Sequence, residues 1–473
     1  MRKYDVIIVG AGPAGIFSAF EISRGNSFKV LIIEKGRDIS ERVCPAIEGG
    51  DCLRCKPCNL LSGWGGAGAF SDGKLTLSPD VGGWLSEVIG ERELSEIINY
   101  VDGVFLQFGA PSQVYGEDEV VLREWQRKAN LAEMKLLPNK IRHIGTEKAR
   151  EILRDMRGAL KSVEVLTGET VRRFIVEGGE VKGVETEKGE VFSAPYVIVA
   201  PGRVGAEWLV EECKRLGIPL KSNPVDVGVR VEVPAVVMEP LTSTLYEPKL
   251  IFYSKRFDDK VRTFCVCPRG EVVREFNNGV TIVNGHSYAD RPTENTNFAI
   301  LVSTSFTEPF KDPIAYGKYI ASLANLLSGG IMVQRLGDLE AGRRSTFRRL
   351  EKGLVSPTLK DAVPGDLSFV LPYRYISDIM EMLFALDKLI PGIASRHTLL
   401  YGVEVKFYSS RITVSPSMET PIRNLFAVGD GAGITRSLVQ AAASGVIAGR
   451  EVLRRLRMGS PATAYGATER EKF

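Results

Sequence analysis

The chain has 473 residues, 44% of them apolar and 25% charged, with a formal net charge of +3. That length allows two or three domains, the composition is that of a folded globular protein, and the small charge argues against a polyelectrolyte partner. No stretch reaches the roughly 18 apolar residues that a membrane span needs. Met1-Arg-Lys runs directly into a strand without a signal peptide, so a cytoplasmic location is expected.

Tyr4 to Val9 is a short, β-branched run that suits a buried parallel strand. The turn after it, Gly10-Ala-Gly12-Pro13-Ala14-Gly15, is G-x-G-x-x-G. Gly10 permits the tight turn, Gly12 lets a pyrophosphate approach the backbone, and Gly15 lets the following helix close on the strand. The helix N-terminus offers free N–H groups to phosphate. A second buried strand ends in Glu34-Lys35, about 20 residues beyond the glycines, where a carboxylate can accept from ribose hydroxyls.

Residues 35–82 form a long non-periodic loop that carries Cys44, Cys52, Cys55 and Cys58 and then the glycine-dense run with Gly65, Gly66 and Ala67. Residues 83–145 read mostly as a helical insertion. Thr146 to Leu160 reads as an amphipathic helix capped by Thr146. Val171–Val176 and Val181–Thr186 flank Glu177-Gly-Gly-Glu180, a hairpin signal. A buried strand from Tyr196 ends in the turn Ala200-Pro201-Gly202, and a helix follows to Arg215. From about residue 221 to 395 short strands and two helices read as an inserted α+β substrate domain. The chain then returns to the first domain, 1–220 with 396–473, through a buried strand, the turn Gly429-Asp430-Gly-Ala-Gly433-Ile434, and a long helix from about Arg436.

Three separated turns thus fit one site. A nicotinamide dinucleotide alone does not need the third; a flavin does, because its ribityl chain and ring run far from the adenine. Asp430 is placed to accept from a ribityl hydroxyl, although a helix-capping aspartate would look the same. The last helix N-terminus can face the flavin's pyrimidine edge, where reduced flavin is anionic. The arrangement resembles the glutathione-reductase-like flavoproteins. The fold expected is therefore α/β, a Rossmann-like FAD-binding domain of glutathione-reductase type with the α+β domain inserted.

Four strings narrow the resemblance: Gly65-Gly-Ala-Gly-Ala-Phe-Ser-Asp-Gly-Lys-Leu75, Arg262-Thr-Phe-Cys-Val-Cys-Pro-Arg-Gly-Glu-Val-Val273, Gly342-Arg-Arg-Ser-Thr346 and Gly429-Asp-Gly-Ala-Gly-Ile-Thr-Arg436. They resemble the family of FAD-dependent dehydrogenases also called NAD(FAD)-utilising dehydrogenases, over nearly the whole chain. The resemblance implies a flavoprotein fold and FAD, and it implies no substrate. Many members lack the four clustered cysteines.

Cys52-x2-Cys55-x2-Cys58 with Cys44 upstream has ferredoxin-like spacing, which suits a [4Fe–4S] cluster; zinc, or free or disulfide-linked thiols, are the alternatives. Cys265 and Cys267 alternate along a strand and share one face, either as a thiol pair lining the substrate pocket or as two small buried hydrophobes. Lys74, after the glycine-dense loop, is read as a flavin neighbour or as a surface lysine. Arg436 at a helix start makes more sense facing a substrate anion or reduced flavin than as a helix cation. The function expected is an FAD-dependent oxidoreductase acting on a small-molecule substrate, with ferredoxin or NAD(P)H as electron carrier. Only one dinucleotide turn is present. The second reading is a non-redox, FAD-scaffolded protein with a structural zinc loop, binding a partner or nucleic acid through the basic segment Arg343–Arg349; nucleic acid is not expected from the charge.

Overall fold

The computed structural model describes residues 2–25, 28–45, 53–71, 73–277, 279–287, 291–306, 312–407 and 410–459. The chain is mixed α/β, and two of the sheets among the described residues organise it. The first is parallel, in the order Leu425–Ala427, Tyr196–Val199, Val6–Val9, Val30–Glu34, Val163–Thr167. Its three central strands are the β-branched runs, almost wholly buried, as a parallel sheet covered on both faces requires. The helix Pro13–Ser23 packs on the last helix, Leu438–Gly459, through small residues. A Cβ on Gly445 would lie 2.1 Å from the Ala14 carbonyl oxygen, and Ser18 Oγ donates to the Gly445 carbonyl at 3.0 Å. The hairpin expected at 177–180 joins Val171–Glu177 to Glu180–Thr186.

The second sheet has eight strands, in the order Val363–Pro364, Met332–Arg335, Leu399–Lys406, Val225–Pro234, Asn295–Thr304, Lys260–Cys267, Lys249–Tyr253, Met134–Leu137. All neighbours are antiparallel except the first two. Strand pairing crosses the domain limits expected from the sequence. Leu399–Lys406 pairs with Val225–Pro234, Lys406 opposite Asp226, so this sheet takes in a strand beyond 395. The insertion at 83–145 lends one strand, Met134–Leu137, to the edge of that sheet. Thr146 is the first residue of the helix Thr146–Ala159 rather than its cap, and Gly145 precedes it. The last helix begins at Leu438, so Arg436 lies in the turn ahead of it.

Along Val225–Pro234 the valines at 225, 227, 229, 231 and 233 join the core formed with the helices Ala235–Leu245, Pro313–Ser328 and Tyr373–Leu389. Period-two alternation sends Asp226, Arg230 and Glu232 to the opposite face. On that face Asp226 feels Arg436 of the parallel-sheet unit, while Arg230 and Glu232 bond within their own unit, to Glu404 and to Thr358. No helix among the described residues is long and apolar enough to cross a membrane.

The helix Tyr373–Leu389 buries Asp378 completely. Burial, and next the neighbouring Asp259 carboxylate, push Asp378 up to about 7. Asp259 itself is held low by Arg374, whose Nη2 bonds it at 2.7 Å. An acid raised above its unfolded value binds its proton more tightly in the folded chain. Stability therefore falls as pH rises from the ordinary carboxyl range to about 7. Asp378→Asn is expected to remove that slope and to raise the thermal midpoint at pH 8 but not at pH 4; equal midpoint shifts at both would refute it.

Candidate functional site

The Gly10–Gly15 turn sits at the carboxyl end of the central strand Val6–Val9. Gly10 has φ +104°, and a Cβ there would lie 2.2 Å from the Ala200 carbonyl oxygen. A Cβ on Gly15 would lie 2.0 Å from the Gly10 carbonyl oxygen. Both glycines are demanded by packing. Gly12 is different: its φ is −77°, and a Cβ there would meet nothing within 4 Å. The open side of this residue is the space a pyrophosphate would need. Pro13 and Ala14 open the helix behind it, with Pro13 where the missing N–H costs nothing.

Glu34 is buried and more committed than its ribose role required. Its Oε2 accepts from Ala11 N at 2.8 Å, and its Oε1 from Gly36 N at 2.8 Å and Gly63 N at 2.9 Å. A carboxylate has about four acceptor positions, so one is left for a ligand hydroxyl. Burial lowers the neighbouring Lys35 ammonium. The glycine-dense loop closes over the turn. Gly65 N donates to the Ala11 carbonyl at 2.7 Å, a Cβ on Gly66 would lie 3.2 Å from Gly12 Cα, and Ala67 is exposed.

The other two turns meet the first. Ala200 N donates to the Val9 carbonyl at 2.7 Å. A Cβ on Gly431 would lie 2.7 Å from the Gly202 carbonyl oxygen and 2.8 Å from Pro201, and one on Gly429 would lie 3.1 Å from Ala14 Cβ. Asp430, Gly433 and Arg436 then line a small open cleft with Arg203, Trp84 and, from the second unit, Phe264 and Lys406. The Thr435 hydroxyl donates to Asp430 at 2.7 Å, and Arg203 Nε lies 3.3 Å away. Burial still leaves the Asp430 carboxyl above its ordinary range, against the pull of Arg203. Ile434 is buried and its carbonyl accepts from Trp84 N at 2.8 Å. Arg436 lies 3.6 Å from the centre of the Trp84 ring. Burial would raise Asp226, but Arg262 and Arg436 hold it below the usual range. Both walls thus carry cations, each beside a carboxylate, with aromatic faces between them.

Lys74 does not line this cleft. Its Nζ donates to the Val266 carbonyl at 3.0 Å and lies 3.8 Å from Glu247, which ties the glycine-dense loop to the strand Lys260–Cys267. Cys265 and Cys267 sit on that strand beside Lys74, one residue beyond the cleft-lining Phe264, with Sγ atoms 3.8 Å apart. Of the four clustered cysteines, Cys52 lies outside the described residues. Cys44, Cys55 and Cys58 are free and partly exposed. Among the described residues no three Cys, His, Asp or Glu side chains group closely enough to hold a metal ion.

Sequence reasoning missed Arg42. It is fully buried, and it donates to the backbone carbonyls of Asn59, Leu60, Trp64 and Gly66 at 2.6 to 2.9 Å. Nothing near Arg42 in the chain announces this, because all its partners lie 17 or more residues away. The basic segment after Gly342 is partly neutralised. Arg335 and Arg343 both bond Asp338 at 3.0 Å, and Arg349 lies 3.8 Å from it.

Residues 224–407 match the family model described as "FAD-dependent protein, C-terminal domain-like". Two of the four strings quoted above, at 262–273 and 342–346, fall inside that match. A protein of Clostridium beijerinckii (strain ATCC 51743 / NCIMB 8052), described as an uncharacterized protein, is 26% identical over 468 residues, covering 94% of this chain and 80% of its own. Among solved structures, L-proline dehydrogenase from P. horikoshii aligns over 97% of this chain and 95% of its own, at 12% identity and a TM-score of 0.42. Glycine oxidase from Geobacillus kaustophilus aligns over 98% of this chain and 100% of its own, at 13% identity and a TM-score of 0.39.

Proposed function

We propose that the chain is an FAD-dependent oxidoreductase of glutathione-reductase-like architecture, acting on a small anionic substrate held in the cleft between the two sheets. The observation that carries this reading is the convergence of the Gly10–Gly15, Ala200–Gly202 and Gly429–Gly433 turns at the carboxyl ends of adjacent parallel strands. Ligands of open α/β sheets bind at that end. The family match over 224–407 supports the cofactor.

Gly12 and the N-terminus of the helix Pro13–Ser23 would hold the pyrophosphate, and the free acceptor position of Glu34 the ribose. Asp430 would accept from the ribityl chain. FAD, when bound, supplies a ring that accepts or returns two electrons and a proton. Arg436 and Lys406 hold the substrate's negative charge, and Trp84 and Phe264 exclude water from the cleft.

Gly12→Val is the sharpest test. Because a Cβ at this position meets no protein atom, the variant is expected to fold with the thermal midpoint of the wild-type chain stripped of FAD. The same branched side chain would stand where the pyrophosphate lies, so the variant is expected to lose FAD. Acid or heat should release FAD, and not FMN, from the wild-type chain only. Full FAD content in Gly12→Val would sink the assignment.

Only the strand Val6–Val9 leads into a G-x-G-x-x-G turn, which leaves NAD(P)H without a strand–turn–helix unit of its own and favours a one-electron carrier such as ferredoxin. NADH and NADPH are expected to bleach the flavin far below a typical turnover of about 10 per second. Stopped-flow absorbance measures this, and faster bleaching by either nucleotide would make it the donor.

A further inference from the structure

The strand Lys260–Cys267 breaks its pairing at the two cysteines. Phe264 lies opposite Ala299, whereas Cys267 lies opposite Asn297, so three steps on one strand match two on the other. The extra residue is a bulge. Cys265 carries it with φ +45°, a left-handed conformation that a residue other than glycine, asparagine or aspartate adopts at a cost. The bulge sets the two Sγ atoms 3.8 Å apart. Two cations then clamp the unit: Arg230 Nη1 donates to the Cys265 carbonyl at 2.7 Å, and Lys74 Nζ to the Val266 carbonyl at 3.0 Å. The pair is also asymmetric in access, since Cys265 is partly exposed and Cys267 fully buried. Packing needs none of this: two small hydrophobes would sit on a regular strand.

We propose that Cys265 and Cys267 are a redox-active dithiol that reduces a small-molecule disulfide, with Cys265 as the attacking and Cys267 as the resolving thiol. The Cys265 thiolate attacks one sulfur of R–S–S–R, that S–S bond breaks, and the departing thiolate takes a proton. Cys267 then gives up its proton and attacks the Cys265 sulfur. The mixed disulfide breaks and releases the second RSH. The chain is left with a Cys265–Cys267 disulfide, and two electrons and two protons have passed to the substrate. The chemistry stands without the flavin, so its failure and that of the FAD reading are separate events.

The electrostatics agree with the roles. The hydrogen bond from Cys267 and the charges of Lys74 and Arg230, against the cost of burial, bring Cys265 down to about 6, while Cys267 is raised. A thiolate at neutral pH on the accessible member of the pair is the arrangement exchange requires.

Trypsin should release both cysteines in one peptide, Thr263–Arg269, which separates them from Cys44, Cys52, Cys55 and Cys58. The full chain as purified, treated with oxidised glutathione and then alkylated, is expected to yield this peptide unalkylated and lighter by two hydrogens. Dithiothreitol should reverse the change. Cys267→Ser should trap a glutathione mixed disulfide on Cys265, and Cys265→Ser should leave Cys267 reduced. The pH midpoint for alkylation of Cys265 should rise in Lys74→Met and hold in Lys74→Arg, which keeps the charge and guards against a misfolded variant. Both thiols staying alkylatable under fully oxidised glutathione would overturn the proposal, as would equal trapping in the two serine variants.

Discussion

Glu404→Leu is expected to cost the fold about 3–5 kcal/mol, the range found when one partner of a buried ion pair is removed. Glu404 and Arg230 are both fully buried at the centre of the eight-stranded sheet. They meet as a fork, Nε to Oε2 and Nη2 to Oε1, each at 2.8 Å. Lys406 adds a second cation 3.0 Å from the same carboxylate. The leucine would leave two buried cations facing none of this charge. Arg230 would keep only neutral acceptors: Asn297 at 3.1 Å, Asn284 at 3.0 Å and the Cys265 carbonyl. Burial works against the Arg230 charge, but Glu404 outweighs it and holds the guanidinium above its usual range. Adding Arg230→Met is expected to recover part of the loss, because an apolar pair of similar volume can replace a buried ion pair at little cost. Guanidinium denaturation of the four combinations gives the coupling as a double-mutant cycle. A Glu404→Leu midpoint equal to wild type would refute the expected penalty.

This pair also marks where the sequence stops being informative. The run Val225-Asp-Val-Gly-Val-Arg-Val-Glu-Val233 reads as a strand because its valines alternate. The same alternation suggests a solvated polar face, yet Asp226, Arg230 and Glu232 are all at 0% exposure. Their partners lie far along the chain, Arg262 and Ser303 for Asp226, Glu404 for Arg230, Thr358 and Tyr401 for Glu232, and no local pattern announces a non-local pairing. The pairing of Leu399–Lys406 with Val225–Pro234, across the expected limit at 395, is hidden from the sequence for the same reason. Local chemistry fared better. The glycines at 10 and 15 were assigned from spacing, and the atoms a Cβ would meet there justify them. The sequence leaves Lys74 open between a flavin neighbour and a surface lysine, and its hydrogen bond to the Val266 carbonyl on the other sheet is a non-local contact that no spacing announces.

Arg42→Met is expected to cost roughly 3 kcal/mol or more, because it strips charged donors from several buried carbonyls at once. The guanidinium is fully buried beneath the glycine-dense loop, and burial brings it down only to about 10, so it stays charged at neutral pH. It stacks 4.9 Å from the centre of the Phe70 ring and fastens Asn59, Leu60, Trp64 and Gly66 by their carbonyls. Between these anchors Gly63 N reaches Glu34 and Gly65 N reaches the Ala11 carbonyl. Releasing the anchors therefore loosens the dinucleotide turn from above, although Arg42 is not among the residues proposed to hold the cofactor. Arg42→Lys keeps the charge but offers at most three donors from a single point, so it should fall between wild type and Met. Amide exchange at Gly63 and Gly65 reads the loop directly, and FAD retained per chain reads the consequence. Wild-type protection of both amides in Arg42→Met would show that the loop holds itself. Lost protection with full FAD content would instead separate the loop from the cofactor.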